Sequence, residues 1–242
     1  MQAMTTRDAT FLARVLAAAV GIGIVAGCAT QIPLGPHREI RIAAASAGTD
    51  SMMLAALDQL PVKGRAPKTG YSRDEFGPAW ADTDGNGCDQ RNDVLARDLE
   101  EIRRVPGSSC VVASGTLQDP YTGHTISFVR GQATSSAVQI DHVVSLSDAW
   151  QTGAQQLNEQ TRERLATDLD NLLAVDGPTN ERKGDGDAAT WLPPNRAAWC
   201  DYAARQVSIK VRYRLWVTPA ERDALARVLG NCPTPQASEA LR

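Results

Sequence analysis

The pattern of apolar and polar positions predicts strands in the middle of the chain and helices after them. Apolar residues at three-and-four spacing predict a helix over Asn92–Arg104. β-Branched residues predict a strand over Val111–Gly115, and alternation predicts that Thr125–Val129 and Val138–Val144 pair as a hairpin. Further helices are predicted over Ser51–Leu57, Leu157–Leu169, from Pro178, and over Pro194–Val211 and Pro219–Leu229. This order of elements is typical of an α+β protein.

Length and charge limit the kind of protein that these elements can form. The 242 residues, 43% of them hydrophobic, suffice for one globular domain with appendages. The formal net charge of −3 argues against a basic protein that coats nucleic acid non-specifically. Any activity on nucleic acid must therefore rest on a local site.

The N-terminus has the features of an export signal. Two arginines precede the apolar run Val15–Ala26, which is shorter than the roughly 20 residues of a membrane-spanning helix. The run ends in Val25-Ala26-Gly27-Cys28, which resembles a bacterial lipobox; an ordinary secretory signal is the alternative. We expect an exported monomer, attached to the outer side of the cell membrane through lipidated Cys28 or extracellular. The predicted segments are a signal peptide (1–27), a tether (28–62), a globular domain (63–232) and a disordered tail (233–242).

The cysteines beyond Cys28 are even in number, which in an exported protein indicates two disulfides. Three connectivities are possible for Cys88, Cys110, Cys200 and Cys232. We prefer Cys88–Cys110 with Cys200–Cys232, because each bond then stabilises one half of the domain. A zinc site is the competing interpretation, but no two of these cysteines have the short spacing of structural zinc sites.

The chemistry-bearing residues begin where a β-branched strand ends in Asp141-His142. Hydrolysis of a phosphodiester needs a nucleophilic water, a cation and a group that takes the proton of the water. An imidazole has an unperturbed pKa of about 6.5 and is neutral at working pH, so His142 suits the role of base. Asn171 and Asn180-Glu181-Arg182-Lys183 follow in order, the first before a short apolar segment and the second on a predicted helix.

Asp-His, then Asn, then Asn-x-x-Lys resembles the HNH, or ββα-metal, endonucleases, including the HNH domain of CRISPR effector nucleases. The stretch from Gly115 to Gly123, GTLQDPYTG, resembles an exported actinobacterial branch of that family. The resemblance implies an α+β fold with a ββα-metal (HNH) core, flanking helices and, from the cysteines, two disulfides. It also implies that the first strand of this core ends at the Asp-His pair.

The resemblance assigns a role to each residue of the motif. His142 would be the catalytic base, and Asn171 would hydrogen-bond the imidazole and hold the loop beside it. Asp141 and Asn180 would be the metal ligands. One carboxylate and one amide suit Mg²⁺, which keeps several of its waters, and Mn²⁺ could substitute on the same oxygens.

Three cationic residues are candidates for binding the substrate. Arg182 and Lys183 follow Asn180 on the predicted helix and could contact phosphate, although a solvated helix face is an equal alternative. By the family resemblance, Arg91 could approach the site and bind phosphate, with a structural salt bridge as the alternative.

A second metal site competes with this interpretation. Asp82, Asp84, Asn86 and Asp93 occupy positions one, three, five and twelve of a calcium-type loop, with glycine at position six. Position twelve is Asp rather than the longer Glu, and position seven is a cysteine expected in a disulfide. We therefore favour a turn-rich loop that leads into the following helix.

Together these features predict a metal-dependent endonuclease that acts on DNA outside the cytoplasmic membrane, with RNA left open as a substrate. The alternatives are a non-catalytic envelope lipoprotein and a calcium-stabilised binding domain, each keeping the HNH fold.

Overall fold

The computed structural model describes residues 52–232, which combine α-helices with two antiparallel sheets. The predicted signal peptide, Cys28, the first part of the tether and the tail over 233–242 lie outside the described residues. Within 52–232 no helix has the length and apolar character needed to cross a membrane.

Seven α-helices and five strands make up the described part of the chain, joined by short 3₁₀ turns. In chain order they are α1 (52–59), α2 (Gln90–Asp98), β1 (Leu99–Arg104), β2 (Val112–Gln118), β3 (Thr125–Val129), β4 (Val138–His142), α3 (Leu146–Gln151), α4 (Glu159–Thr167), β5 (Leu172–Asp176), α5 (Gly177–Lys183), α6 (Trp199–Arg212) and α7 (Pro219–Leu229). The fold is therefore α+β, as predicted, and the helices expected after the strands are present.

The helix predicted over Asn92–Arg104 is half wrong, because it ends at Asp98. Asp89 caps its start by accepting a hydrogen bond from the Asn92 amide. From Leu99 the backbone becomes extended and forms β1, which pairs antiparallel with β2. The apolar spacing fits either structure over so few residues, and pairing with β2 decides it.

The predicted hairpin of Thr125–Val129 with Val138–Val144 is also wrong. The first of these strands is β3, which pairs with β2 in a three-stranded sheet of order β1-β2-β3. The second is β4, which pairs with β5 in a separate sheet. A 3₁₀ turn over Ser135–Ala137 separates β3 from β4, and the partner of β4 lies some thirty residues further along the chain. Alternation shows that a segment is a strand but does not identify its partner.

Strands β4 and β5 and helix α5 together form a ββα unit. The strands are in register from Val138 opposite Asp176 to His142 opposite Leu172. Asp176 then caps α5 by accepting a hydrogen bond from the Thr179 amide at 2.9 Å. The helix begins directly after β5, so its inner face lies against the strand that carries the Asp-His pair.

Gly177, the first residue of α5, allows this close packing. A Cβ atom at this position would overlap the carbonyl oxygen of Ser136, in the turn before β4. Gly177→Ala is therefore expected to push α5 away from β4 and to destabilise the protein by about 3 kcal/mol, the upper range for overpacking. Thermal unfolding measures the effect. Gly64→Ala is the control, since nothing lies within 4 Å of its added Cβ, and equal melting temperatures for the two variants would contradict the prediction.

Both predicted disulfides are present. Cys88–Cys110 joins the loop before α2 to the segment before β2, and Cys200–Cys232 joins α6 to the segment after α7. Helix α1 packs on the same cluster as α6 and α7 through buried Leu57. The segment predicted as the end of the tether therefore contributes to the core.

A buried cluster of charges connects α3, α6 and α7. The Lys210 ammonium is fully buried and pairs with Asp148 at 2.9 Å and Glu221 at 2.7 Å. Arg65 pairs with Asp148 at 3.0 Å and Asp187 at 2.8 Å. These three carboxylates could hold a metal by their spacing alone, but Lys210 and Arg65 already pair with them. The cluster is an internal ion-pair network.

Burial raises the pKa of Glu221 to about 7, despite the opposing charge of Lys210. The native protein therefore holds a proton that the unfolded chain releases between pH 4.5 and 7, so this group favours folding at low pH and the benefit is lost as the pH rises through 7. We expect the unfolding free energy of the wild type minus that of Glu221→Gln to fall by as much as about 3 kcal/mol between pH 4.5 and 7.5. Urea unfolding at both pH values measures it. The other titrating groups are common to both proteins and cancel in the subtraction, so a difference that stays constant with pH would contradict the prediction.

Candidate active site

The end of β4 opens into a groove of about 480 Å³ between α5, the start of α3 and the segment before the first 3₁₀ turn. Asp141, His142 and Asn180 all line this groove. The structure therefore brings together the predicted base and both predicted metal ligands. Other groups on its walls are Lys68, Tyr71, Arg73, Ser145, Ser147 and Asp185.

One ring nitrogen of His142 is used in a hydrogen bond to the backbone. Its Nε2 lies 2.9 Å from the carbonyl oxygen of Ala166, at the end of α4, so Nε2 carries the proton and donates it. Nδ1 is then the unprotonated nitrogen, the form that a base requires. Burial, with a smaller contribution from the charge of Arg73, lowers the pKa of His142 to about 3. The imidazole is therefore neutral in the protein.

Asn171 does not make the predicted hydrogen bond to the imidazole, because Ala166 occupies that position. Its Oδ1 instead accepts from the Val144 amide at 2.8 Å, and its Nδ2 donates to the carbonyls of Val144 and Leu165 at 3.3 Å. The first two bonds hold the loop after β4, as expected from the sequence. The third fixes the residue before Ala166, so Asn171 positions His142 from both sides without touching the ring.

Asp141 is bound by groups that sequence reasoning placed elsewhere. The ammonium of Lys183 donates to its two carboxylate oxygens at 2.8 and 2.7 Å and to the carbonyl of His142 at 2.6 Å. The Tyr121 hydroxyl donates to Asp141 Oδ2. The Lys183 side chain is fully buried and all its donors are used, so the predicted phosphate contact is wrong for this residue. Lys183 lies on the inner face of α5 because it is one turn from Asn180.

Asp141 and Asn180 still have oxygen lone pairs that could bind one hard cation. A carboxylate offers about four lone pairs, and three of those on Asp141 accept from Lys183 and Tyr121, which leaves one on Oδ1. Asn180 donates its amide nitrogen to Gln139 Oε1 at 2.9 Å, while the nitrogen of Gln139 donates to Glu181. These two hydrogen bonds fix the orientation of the Asn180 side-chain amide. Its nitrogen is used as a donor, and its oxygen is left to bind a metal. Two such oxygens fit a cation that retains several waters, such as Mg²⁺.

The other two predicted substrate contacts, Arg91 and Arg182, do not line the groove. Arg91 is half-buried and donates to the carbonyls of Ser135 and Val138 at 3.3 and 3.1 Å, so it supports the turn into β4 rather than meeting phosphate. Arg182 is exposed but lies on an adjoining cavity rather than in the groove, and it donates to Thr179 at 2.7 Å. Of the three predicted substrate contacts, only Arg182 therefore keeps an exposed charge near the site.

Two site residues escaped the sequence reasoning about the motif. Tyr121 lies in the stretch that carried the family resemblance, but nothing in its spacing shows that it would meet Asp141. Arg73 lies within the predicted globular domain, but no motif in the sequence includes it. Both reach the site by tertiary packing, so the motif alone could not find them.

The calcium-type loop forms a compact turn. Asp82 accepts hydrogen bonds from the backbone amides of Gly85 and Gly87 at 2.9 and 2.8 Å, and Asp84 accepts from the side chain of Asn86 at 3.0 Å. Backbone hydrogen bonds lower the pKa of the Asp82 carboxyl, against a desolvation effect of opposite sign. The loop leads into α2 through the Asp89 cap, as the preferred interpretation expected.

The fold and the groove define an α+β protein with a ββα unit whose first strand ends in an Asp-His pair. The family model described as GmrSD restriction endonucleases, C-terminal domain, matches residues 89–228, more than half of the chain. The chain belongs to this family. The match includes β4, β5 and α5, and it supports the predicted HNH-type nuclease family. The actinobacterial branch stays a prediction.

A relative from Arthroderma benhamiae, named "Uncharacterized secreted protein", is 39% identical over 189 residues. The similar region covers 77% of this chain and 86% of the relative. No solved structure shows significant similarity to the chain.

Proposed function

We propose that the protein is an HNH-type, metal-dependent endonuclease that hydrolyses phosphodiester bonds of DNA, with RNA as a further substrate to be tested. The observation that carries this proposal is the arrangement around His142. A neutral imidazole with a defined tautomer lines the same groove as two oxygen ligands, Asp141 and Asn180. The family membership supports a nuclease-related function.

His142 is the general base of the proposed reaction. Its Nδ1 accepts a proton from the attacking water, while the Nε2–H bond to Ala166 stabilises the imidazolium that forms. A pKa of about 3 in the free protein makes a weak base. The negative charge of a phosphate in the groove opposes the charge of Arg73 and raises this pKa when substrate is present.

Asp141 and Asn180 are the residues that would hold Mg²⁺, with Mn²⁺ as the substitute. When bound, the ion neutralises charge on the phosphate and on the departing oxygen. Lys183 and Tyr121 keep the Asp141 carboxylate in one orientation, so its remaining lone pair is held in place before any ligand arrives. Asn171 plays the same positioning role for His142.

We also propose that the protein acts outside the cytoplasmic membrane. The relative from Arthroderma benhamiae is named as secreted, and both disulfides are typical of proteins in an oxidising compartment. Attachment through lipidated Cys28 and a monomeric state stay predictions. Mass spectrometry of the mature N-terminus tests the anchor, which is wrong if Cys28 carries no acyl group.

A substrate and metal survey tests the proposal. The purified full-length protein is incubated with supercoiled plasmid, single-stranded DNA and RNA, each with Mg²⁺, Mn²⁺, Ca²⁺ or a chelator. The proposal predicts cleavage of DNA with Mg²⁺ or Mn²⁺ and none with the chelator. If the protein cleaves none of the substrates with any of the metals, the non-catalytic alternative is favoured. Cleavage that the chelator leaves unchanged would overturn metal dependence.

A further inference from the structure

Arg73 stands at the boundary between two depressions that meet at His142. It lines the groove with Asp141 and Asn180, and it also lines a narrow cleft on the other side of the imidazole, next to Trp80. Its side chain is exposed. An exposed guanidinium on the wall of the groove is within reach of a group that binds there.

Arg73 differs from the other cations near the groove in its ion pairing. Among the residues that line the groove, the other cation is Lys68, which pairs with Asp185 at 3.0 Å. Lys183 is buried and forms an ion pair with Asp141. Within residues 52–232, Arg73 forms no ion pair with a carboxylate within 4.0 Å. An unneutralised arginine at the mouth of a site is suited to an anion.

The backbone that carries Arg73 is held firmly. Arg73 begins a 3₁₀ turn whose last residue, Phe76, is buried and packs on Trp150 at 6.2 Å between ring centroids. Glu75 of the same turn binds Arg162 of α4 through its carboxylate at 2.9 Å and through its carbonyl at 2.6 Å. The same helix presents Ala166 to His142. Helix α4 therefore contacts both the turn that carries Arg73 and the ring of the base.

We propose that Arg73 binds the phosphodiester of the substrate, donating paired N–H groups to its non-bridging oxygens and placing it beside His142 and the metal ligands. The inference rests on the nuclease function proposed above and adds the residue that recognises the phosphate. Arginine suits this role because its planar fork matches two phosphate oxygens, which a lysine cannot do. The ligand class is a phosphodiester of a nucleic acid chain.

Cleavage kinetics with Mg²⁺ test the inference on the full-length wild type, Arg73→Met, Arg73→Lys and the control Arg164→Met. Arg164 is an exposed arginine on α4 whose side chain hydrogen-bonds to Gln160 of its own helix. Arg73→Met should lower kcat/KM about 10- to 100-fold, the effect of losing a hydrogen bond to a charged group. Arg73→Lys should recover part of the loss, and Arg164→Met should match the wild type.

A binding measurement adds a readout that a structural role would not change. Binding is measured in the His142→Ala protein, where the slope of log affinity against log salt concentration counts phosphate contacts. Arg73→Met should reduce this slope by about one contact, and Arg73→Lys should leave it unchanged. Equal kcat/KM and equal salt dependence in Arg73→Met and Arg164→Met would overturn the inference while leaving the nuclease proposal intact. A wild type that cleaves no nucleic acid would overturn both.

Discussion

His142→Ala is expected to lower the rate of DNA cleavage about 10²- to 10⁴-fold, the usual contribution of a positioned general base. The reason is that the two other motif residues in the groove are not available as bases. Asp141 is occupied by Lys183 and Tyr121, and Asn180 has no basic group. Single-turnover cleavage of a labelled duplex with saturating Mg²⁺ measures the loss.

His124→Ala is the matched control for this prediction. His124 is an exposed histidine in the turn between β2 and β3, away from the groove, and its replacement should leave the rate unchanged. Circular dichroism and thermal unfolding establish that His142→Ala is folded, since its ring is buried. A folded His142→Ala protein that cleaves within threefold of the wild type would remove His142 from the mechanism.

Lys183→Met is expected to produce the largest loss of stability, about 3–5 kcal/mol in the free energy of unfolding. The substitution keeps the length of the side chain but removes the charge that neutralises Asp141. It leaves a buried carboxylate with only the Tyr121 hydroxyl as a donor. Urea unfolding, followed by tryptophan fluorescence, measures the change.

The exposed pair of Lys68 and Asp185 provides the control for the buried one. Its atoms are 3.0 Å apart, but both side chains are about half exposed, so Lys68→Met should cost under about 1 kcal/mol. Adding Asp141→Asn to Lys183→Met should recover part of the lost stability, because the unpaired charge is then gone. Equal unfolding free energies for Lys68→Met and Lys183→Met would contradict the account of Asp141.

The sequence was sufficient for features that depend on local order. Asp141, His142 and Asn180 were brought to one groove as the motif implied, since each follows directly from the end of β4 or the start of α5. The disulfides could also be predicted, because four cysteines allow few pairings and each pair joins neighbouring elements. The helix from Pro178 began within one residue of expectation because Asp176 and Pro178 are start signals.

Contacts between distant segments could not be predicted in this way. Lys183 looked like an exposed phosphate contact because a charge on a short helix gives no sign of which face is buried. Ala166 binds His142 through its backbone carbonyl, a group that every residue has, so no residue type marks it. The pairing of β4 with β5 could not be predicted for the same reason. Alternation of apolar and polar residues identifies a strand, whereas packing between distant segments selects its partner.

The magnesium dependence of cleavage tests the central claim, that Asp141, His142 and Asn180 form a metal-dependent nuclease site. Single-turnover rates on a labelled DNA duplex are measured from zero to saturating Mg²⁺ for the wild type and for Asn180→Ala. We predict that the wild type cleaves only with the metal and that Asn180→Ala needs a higher Mg²⁺ concentration for half its maximal rate. No cleavage by the wild type, or identical magnesium curves for the two proteins, would contradict the account.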